Sequence, residues 1–153
     1  MATLLDVYAK FGEVAEAAQL LETELGNLLL SEAIDMHGFR KTQNKVLAKK
    51  LIGEIDRKTL GQLIQALNKG RQPDEAFQGL LAVALNERNR LNHSFYREHN
   101  LRRNSVQGRL LMIADLRVIH DHILSAYITA LRQTKSEISD DTLLKAQSGH
   151  LPI

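Results

Sequence analysis

Apolar residues return at every third or fourth position through the first part of the chain, at Leu4, Val7, Phe11, Val14, Ala18, Leu21, Leu25 and Leu28. That step matches the 3.6-residue repeat of an α-helix and not the two-residue repeat of a strand. The spacing predicts a helix from about Thr3 or Leu5 to Asp35. Leu28-Leu29-Leu30 and Ile34 broaden its apolar face, and His37-Gly38 ends it. A helix this long, well beyond the average of about 11–12 residues, cannot bury its stripe alone and has to be the spine of a bundle.

A second long helix is expected from Val106 to Gln133, with Leu110, Ile113, Leu116, Ile119, Ile123, Tyr127 and Leu131 facing inward and Ser105 as N-cap. Between the two lie shorter elements. The basic run Arg40–Ile55 holds one short helix that ends before Gly53, and its lysines (Lys41, Lys45, Lys49, Lys50) form a solvated face. Asp56 or Thr59 caps the next helix, which carries Leu60, Leu63, Ile64 and Leu67 and stops at Lys69-Gly70 before the turn Arg71-Gln72-Pro73. Asp74 opens a helix that is expected to run to about Tyr96, and Asn100–Ser105 connects it to the last one. The architecture expected is an all-α bundle over residues 1–134, with two long antiparallel helices and two or three shorter ones. Residues 135–153 form a tail, either frayed or holding a short helix that starts near Asp140.

Composition narrows the function classes. The 153 residues suit one domain with a sizeable core. Without cysteine, disulfides, thiolate metal sites and cysteine nucleophiles are excluded. The N-terminus lacks the basic and apolar regions of a secretory signal, and no apolar run reaches the roughly 18 residues of a membrane span, so a soluble, cytoplasmic protein is expected. A net charge of +2 is too small to argue for nucleic acid, but its distribution is uneven. Of eleven arginines, six (Arg88, Arg90, Arg97, Arg102, Arg103 and Arg109) share one short window with His93 and His99. Guanidinium grips phosphate through paired N–H donors, so this window is the candidate contact for a polyanion.

On a helical wheel, Phe77, Ala84, Leu91 and Phe95 fall within about 20° of one line, which makes that face core. Arg88 lies about 40° from it, so its guanidinium must be partly buried and needs a carboxylate; Glu22 and Glu24 are the candidates. Asn89, His93 and Tyr96 share another face, which has no apolar residue and is open to substrate or a second subunit. These groups suit RNA cleavage without a metal. Imidazole can take the proton of an attacking 2′-hydroxyl or return one to the leaving 5′-oxygen. Arginine can neutralise charge building on the phosphorus, and an amide can orient either. About 140° separates Arg88 from His93 on a regular helix, so the two meet only if the helix loosens, the side chain bends round or a second copy completes the site. The pair Arg117 and His122 has similar spacing, but it is followed by Val118 and lies mid-helix among core residues, and it reads as structural. His120-Asp121-His122 does not read as a metal site, because positions i and i+2 face different ways.

The run Arg88-Asn89-Arg90-Leu91-Asn92-His93 resembles the motif of HEPN domains: arginine, a polar residue, a short spacer and histidine. The helix order resembles the family too. The resemblance implies a compact helical homodimer with two motifs facing across a cleft. It implies a metal-independent endoribonuclease of a toxin–antitoxin or defence system, with a cognate antitoxin protein as candidate partner and no cofactor. On it, Arg88 and His93 are catalytic and Asn89 assists; beside them, Arg90, Tyr96 and Arg97 are expected to bind RNA. One departure stands out. Members silenced by a nucleotidyltransferase often carry tyrosine two residues after the histidine, where this chain has Phe95, with Tyr96 one later. The alternative from another class is a non-catalytic helical module that binds a protein partner. DNA binding through the basic window is weaker still, since the last helix faces the core and shows no recognition pattern.

Overall fold

The computed structural model describes residues 1–37 and 45–134. They fold into six α-helices: α1 (Leu4–His37), α2 (Lys45–Asp56), α3 (Leu60–Gly70), α4 (Glu75–His93), α5 (Phe95–His99) and α6 (Val106–Thr134). A 3-10 turn, Asn100–Asn104, joins α5 to α6, and no strand occurs among the described residues. The fold is all-α. No described helix is long and apolar enough to cross a membrane. The C-terminal tail and part of the basic segment, including Arg40 and Lys41, lie outside the described residues.

Four of the helices, α1, α3, α4 and α6, begin where a side chain satisfies a free N–H group of the first turn. Thr3 and Asp6 bond each other's backbone N–H at the start of α1, and the Thr3 N–H and hydroxyl, both donating to the Asp6 carboxylate, hold it below the usual range. Thr59 and Gln62 form a capping box on α3. Asp74 accepts from the N–H of Phe77 on α4, and Ser105 accepts from that of Gly108 on α6, both as the sequence suggests. Gly108 is where the 3-10 turn crosses α6 most closely. A Cβ there would overlap the backbone carbonyl of Arg102, so only glycine fits.

The core is one cluster to which α1, α3, α4, α5 and α6 contribute. Along α1, Val7, Val14, Ala18, Leu21, Leu25 and Leu28 are buried as the stripe requires, with Leu4 and Phe11 half-buried. In α6, Leu116, Ile119, Ile123, Tyr127 and Leu131 are buried as expected, but Leu110 is 47% exposed and Met112 takes the core position beside it. The wheel had only a gradual apolar boundary to place there. α2 continues through Gly53 to Asp56 instead of stopping short of it, and it buries no residue. A glycine costs a helix about 1 kcal/mol, too little to break one by itself. Ile55 instead seats α2 on α1, against Gly26.

The two long helices run parallel, not antiparallel. Arg109 at the start of α6 donates to the carbonyl of Ala2, Lys10 meets His120, and Gln133 and Thr134 share a surface hollow with Leu28, Glu32 and Asp35 near the end of α1. The cause is α4, which runs against α1, so that the turn through α5 and the 3-10 segment sends α6 back along α1. α4 descends beside the paired long helices, packed mainly on α6, with Arg88 level with Glu22 and Phe95 level with Phe11. α6 then rises again in the direction of α1.

Candidate active site

The expected helix to Tyr96 is broken at Ser94, which takes φ −132° and ψ −15°. Its hydroxyl donates to the Glu98 carboxylate at 2.6 Å and lies 3.3 Å from the Arg90 carbonyl, in competition with the helix's own bonding. The bend lets α5 turn inward. There the buried ring of Phe95 packs at 5.8 Å from that of Phe11, and Tyr96 stacks on Phe11 at 5.4 Å. Of the three ways in which Arg88 and His93 could meet, loosening of the helix occurs, but only after His93 has passed.

Arg88 is about a quarter exposed and donates to Glu22 on α1 at 3.0 Å, the carboxylate partner its position demands. It also reaches the side-chain oxygen of Asn89 at 3.3 Å. His93, the last residue of α4, is exposed, and its imidazole has no hydrogen bond or ion pair among the described residues. Within one chain, then, the guanidinium and the imidazole do not meet. Asn89, Tyr96 and Arg97 are exposed as the wheel suggested, and Arg97 donates to the His93 carbonyl at 3.2 Å. Burial, with Tyr8 close by, pushes the Tyr96 phenol above its ordinary pKa against the pull of Arg103, so it keeps its proton at neutral pH.

Arg90, expected at the RNA, is committed elsewhere. It meets Asp115 of α6 through both terminal nitrogens at 2.7 and 2.8 Å, Glu98 at 2.9 Å and Glu87 at 3.0 Å. The Asp115 fork, then Glu98 and Glu87, hold Arg90 protonated far above its ordinary range, against the effect of burial. In return, Arg90 holds the Asp115 carboxyl below the usual range, helped by His99 and opposed by burial. Buried His99 completes the network, with Nε2 2.7 Å from Asp115 and Nδ1 3.1 Å from Arg102. Arginine can only donate, so Nδ1 accepts and the proton of the neutral ring sits on Nε2, donated to Asp115. His122 lies 3.3 Å from Glu87, which ties the second arginine–histidine pair to the rim of the same network. Both Arg117 and His122 are exposed rather than set among core residues.

Asp115 is the residue that sequence reasoning missed, and His99, grouped there with the basic window, is instead buried against it. Asp115 sits among apolar neighbours on α6, and a lone acidic residue there is the one available signal that a cation must be facing it. Among the described residues no group of three histidine, aspartate or glutamate side chains is placed to hold a metal ion, and His120 is buried while His122 is exposed. A groove of about 410 Å³ lies between α1, α2 and α3 and is lined in part by Glu22, Thr23, Asn27 and Lys58. It touches the partner of Arg88 but none of Asn89, His93, Tyr96 or Arg97. In comparison with known proteins, no family model, no curated protein and no solved structure matches the chain.

Proposed function

We propose that the chain is a HEPN-type, metal-independent endoribonuclease that acts as a cytoplasmic homodimer in a toxin–antitoxin or defence system, with an antitoxin protein as its natural partner. One observation carries the reading. At the end of α4 an anchored guanidinium, Arg88, is followed by an exposed imidazole, His93, that nothing among the described residues engages. A histidine meant for packing would be buried or paired, as His99 is. Pairing two copies, motif to motif, would bring the groups that one chain holds apart onto one phosphate.

In that arrangement one His93 accepts the proton of the 2′-hydroxyl as its oxygen attacks the adjacent phosphorus. The His93 of the partner subunit gives a proton to the departing 5′-oxygen. The bond that forms is O2′–P and the bond that breaks is P–O5′, which leaves a 2′,3′-cyclic phosphate and a free 5′-hydroxyl. Arg88 balances the negative charge on the phosphoryl oxygens. Glu22 keeps that guanidinium extended toward α1 until a phosphate draws it over, and Asn89 steadies it from the side.

The second reading, a non-catalytic helical module that binds a protein partner, is favoured by the contacts of Arg88 and Arg90, both of which serve the bundle. Controlled expression in a bacterial host separates the two. Wild-type protein is expected to arrest growth with loss of intact cellular RNA, and the His93→Ala protein to leave growth unaffected. Equal effects of the two proteins would favour the module.

A further inference from the structure

Tyr8 and Tyr96 are 45% and 41% exposed, although each comes from a different helix and both lie at the same end of the bundle. Tyr96 has its ring stacked on Phe11, at an interplanar angle of 29°, and set edge-on to Phe95 at 5.3 Å. It is therefore held rigidly from beneath while two-fifths of it stays in water. Arg103, on the 3-10 turn, places a terminal nitrogen 3.4 Å from the Tyr8 hydroxyl. Three segments far apart in sequence thus bring two half-exposed rings and an exposed guanidinium together. Three residues upstream of Tyr96, across the Ser94 bend, is His93, with Arg97 bonded to its carbonyl.

We propose that Tyr8, Tyr96 and Arg103 form a platform on which a base of single-stranded RNA stacks next to the cleavage site. The proposal rests on the ribonuclease reading and names how that enzyme holds its substrate. Tyrosine rings offer every base a π-face, and guanidinium groups around them draw in the phosphates between bases. The charge at this end favours nucleic acid over a protein occupant. Arg97 and Arg103 are exposed and, among the described residues, each donates to a neutral partner, whereas Glu98 beside them is already bonded by Ser94 and Arg90. Phe11, under Tyr96, and Glu22, opposite Arg88, are eleven residues apart on α1. At 1.5 Å per residue that is about 16 Å, a span of a few nucleotides. The platform would therefore grip the strand near, but not at, the phosphate that is cut.

The test uses the full chain carrying His93→Ala, so that bound RNA stays whole, and a short fluorescent single-stranded RNA titrated by anisotropy. Adding Tyr8→Leu or Tyr96→Leu is expected to weaken binding by about fivefold or more, the range for loss of one stacked base. Tyr8→Phe and Tyr96→Phe are expected to bind as the parent does, because the ring and not the hydroxyl is used. Arg103→Gln should weaken binding and lower the slope of log affinity against log salt by roughly 0.7, one phosphate on a single strand. The Tyr8→Leu variant, whose ring is the more exposed, guards against loss of packing, and its melting temperature should match the parent's. Leucine variants that bind RNA as tightly as the parent would overturn the platform alone and leave these rings to a protein partner. A parent that binds no RNA would overturn the platform and the ribonuclease reading together.

Discussion

Replacing His93 by alanine is expected to slow RNA cleavage by about a hundredfold to ten-thousandfold, the usual contribution of a positioned acid or base, while the bundle stays folded. The side chain is exposed and has no partner among the described residues, so its removal should change stability by no more than about 0.5 kcal/mol. Arg88→Ala is expected to cost about a hundredfold to a thousandfold, as losing one preorganised donor to a transition state does. Its stability effect should also be small. The Arg88–Glu22 pair is about a quarter exposed on both sides, and solvent reduces such a pair to roughly 1 kcal/mol or less. Arg88→Lys keeps the charge but not the planar fork, and should fall between wild type and alanine. Cleavage rates with saturating protein, measured beside far-ultraviolet circular dichroism, separate chemistry from folding. Full helicity with wild-type rates in either alanine variant would remove that residue from the mechanism.

Asp115→Ala should do the opposite, destabilising the fold. One terminal nitrogen of Arg90 and the Nε2–H of buried His99 would lose their acceptor at once, and the other terminal nitrogen would keep only Glu98. Breaking a fully buried pair from one side costs about 3–5 kcal/mol. Asp115 and Arg90 are each about a quarter exposed, which lowers the expected loss to about 2–3 kcal/mol. For a chain of this size that is a fall in melting temperature of roughly 5–10 °C. The effect should depend on pH in a definite sense. Arg90 holds the Asp115 carboxyl below its unfolded value, so its stabilisation is fully present above about pH 4 and disappears as pH falls through the folded value. Wild type and Asp115→Asn should therefore differ most near neutrality and converge in strong acid, where both carry an uncharged group at that position. A gap between their melting temperatures that stays constant down to pH 2 would show that the Arg90–Asp115 charge pair is not what stabilises this end of the bundle.

Local information was well written in the residues, and long-range pairing was not. Thr59, Asp74 and Ser105 each cap a helix because a hydroxyl or carboxylate there meets the free N–H groups of the next turn, a matter of three residues. The half-burial of Arg88 and its bond to Glu22 followed from one wheel angle and the cost of an unpaired buried charge. The outward placement of Asn89, His93 and Tyr96 followed from the same wheel. The break at Ser94 did not, because it depends on the pull of Phe95 toward Phe11, 84 positions earlier in the chain. Arg90 was read from its neighbours as a phosphate ligand, but its main partner, Asp115, stands 25 residues away on another helix. The direction of α6 was missed for a related reason. It depends on how α4 lies against α1, which is set by Arg88 meeting Glu22 and Phe95 meeting Phe11, pairings far apart in the chain.

The proposed chemistry requires nothing but the chain, its RNA and water, and the most direct measurement follows from that. Purified protein is incubated with an end-labelled single-stranded RNA in excess EDTA, and the fragment ends are identified. Fragments ending in 2′,3′-cyclic phosphate with wild type, and intact RNA with His93→Ala, are the expected result. RNA that stays whole with wild type, or fragments that the His93→Ala protein makes equally well, would contradict the assignment of this motif as a nuclease.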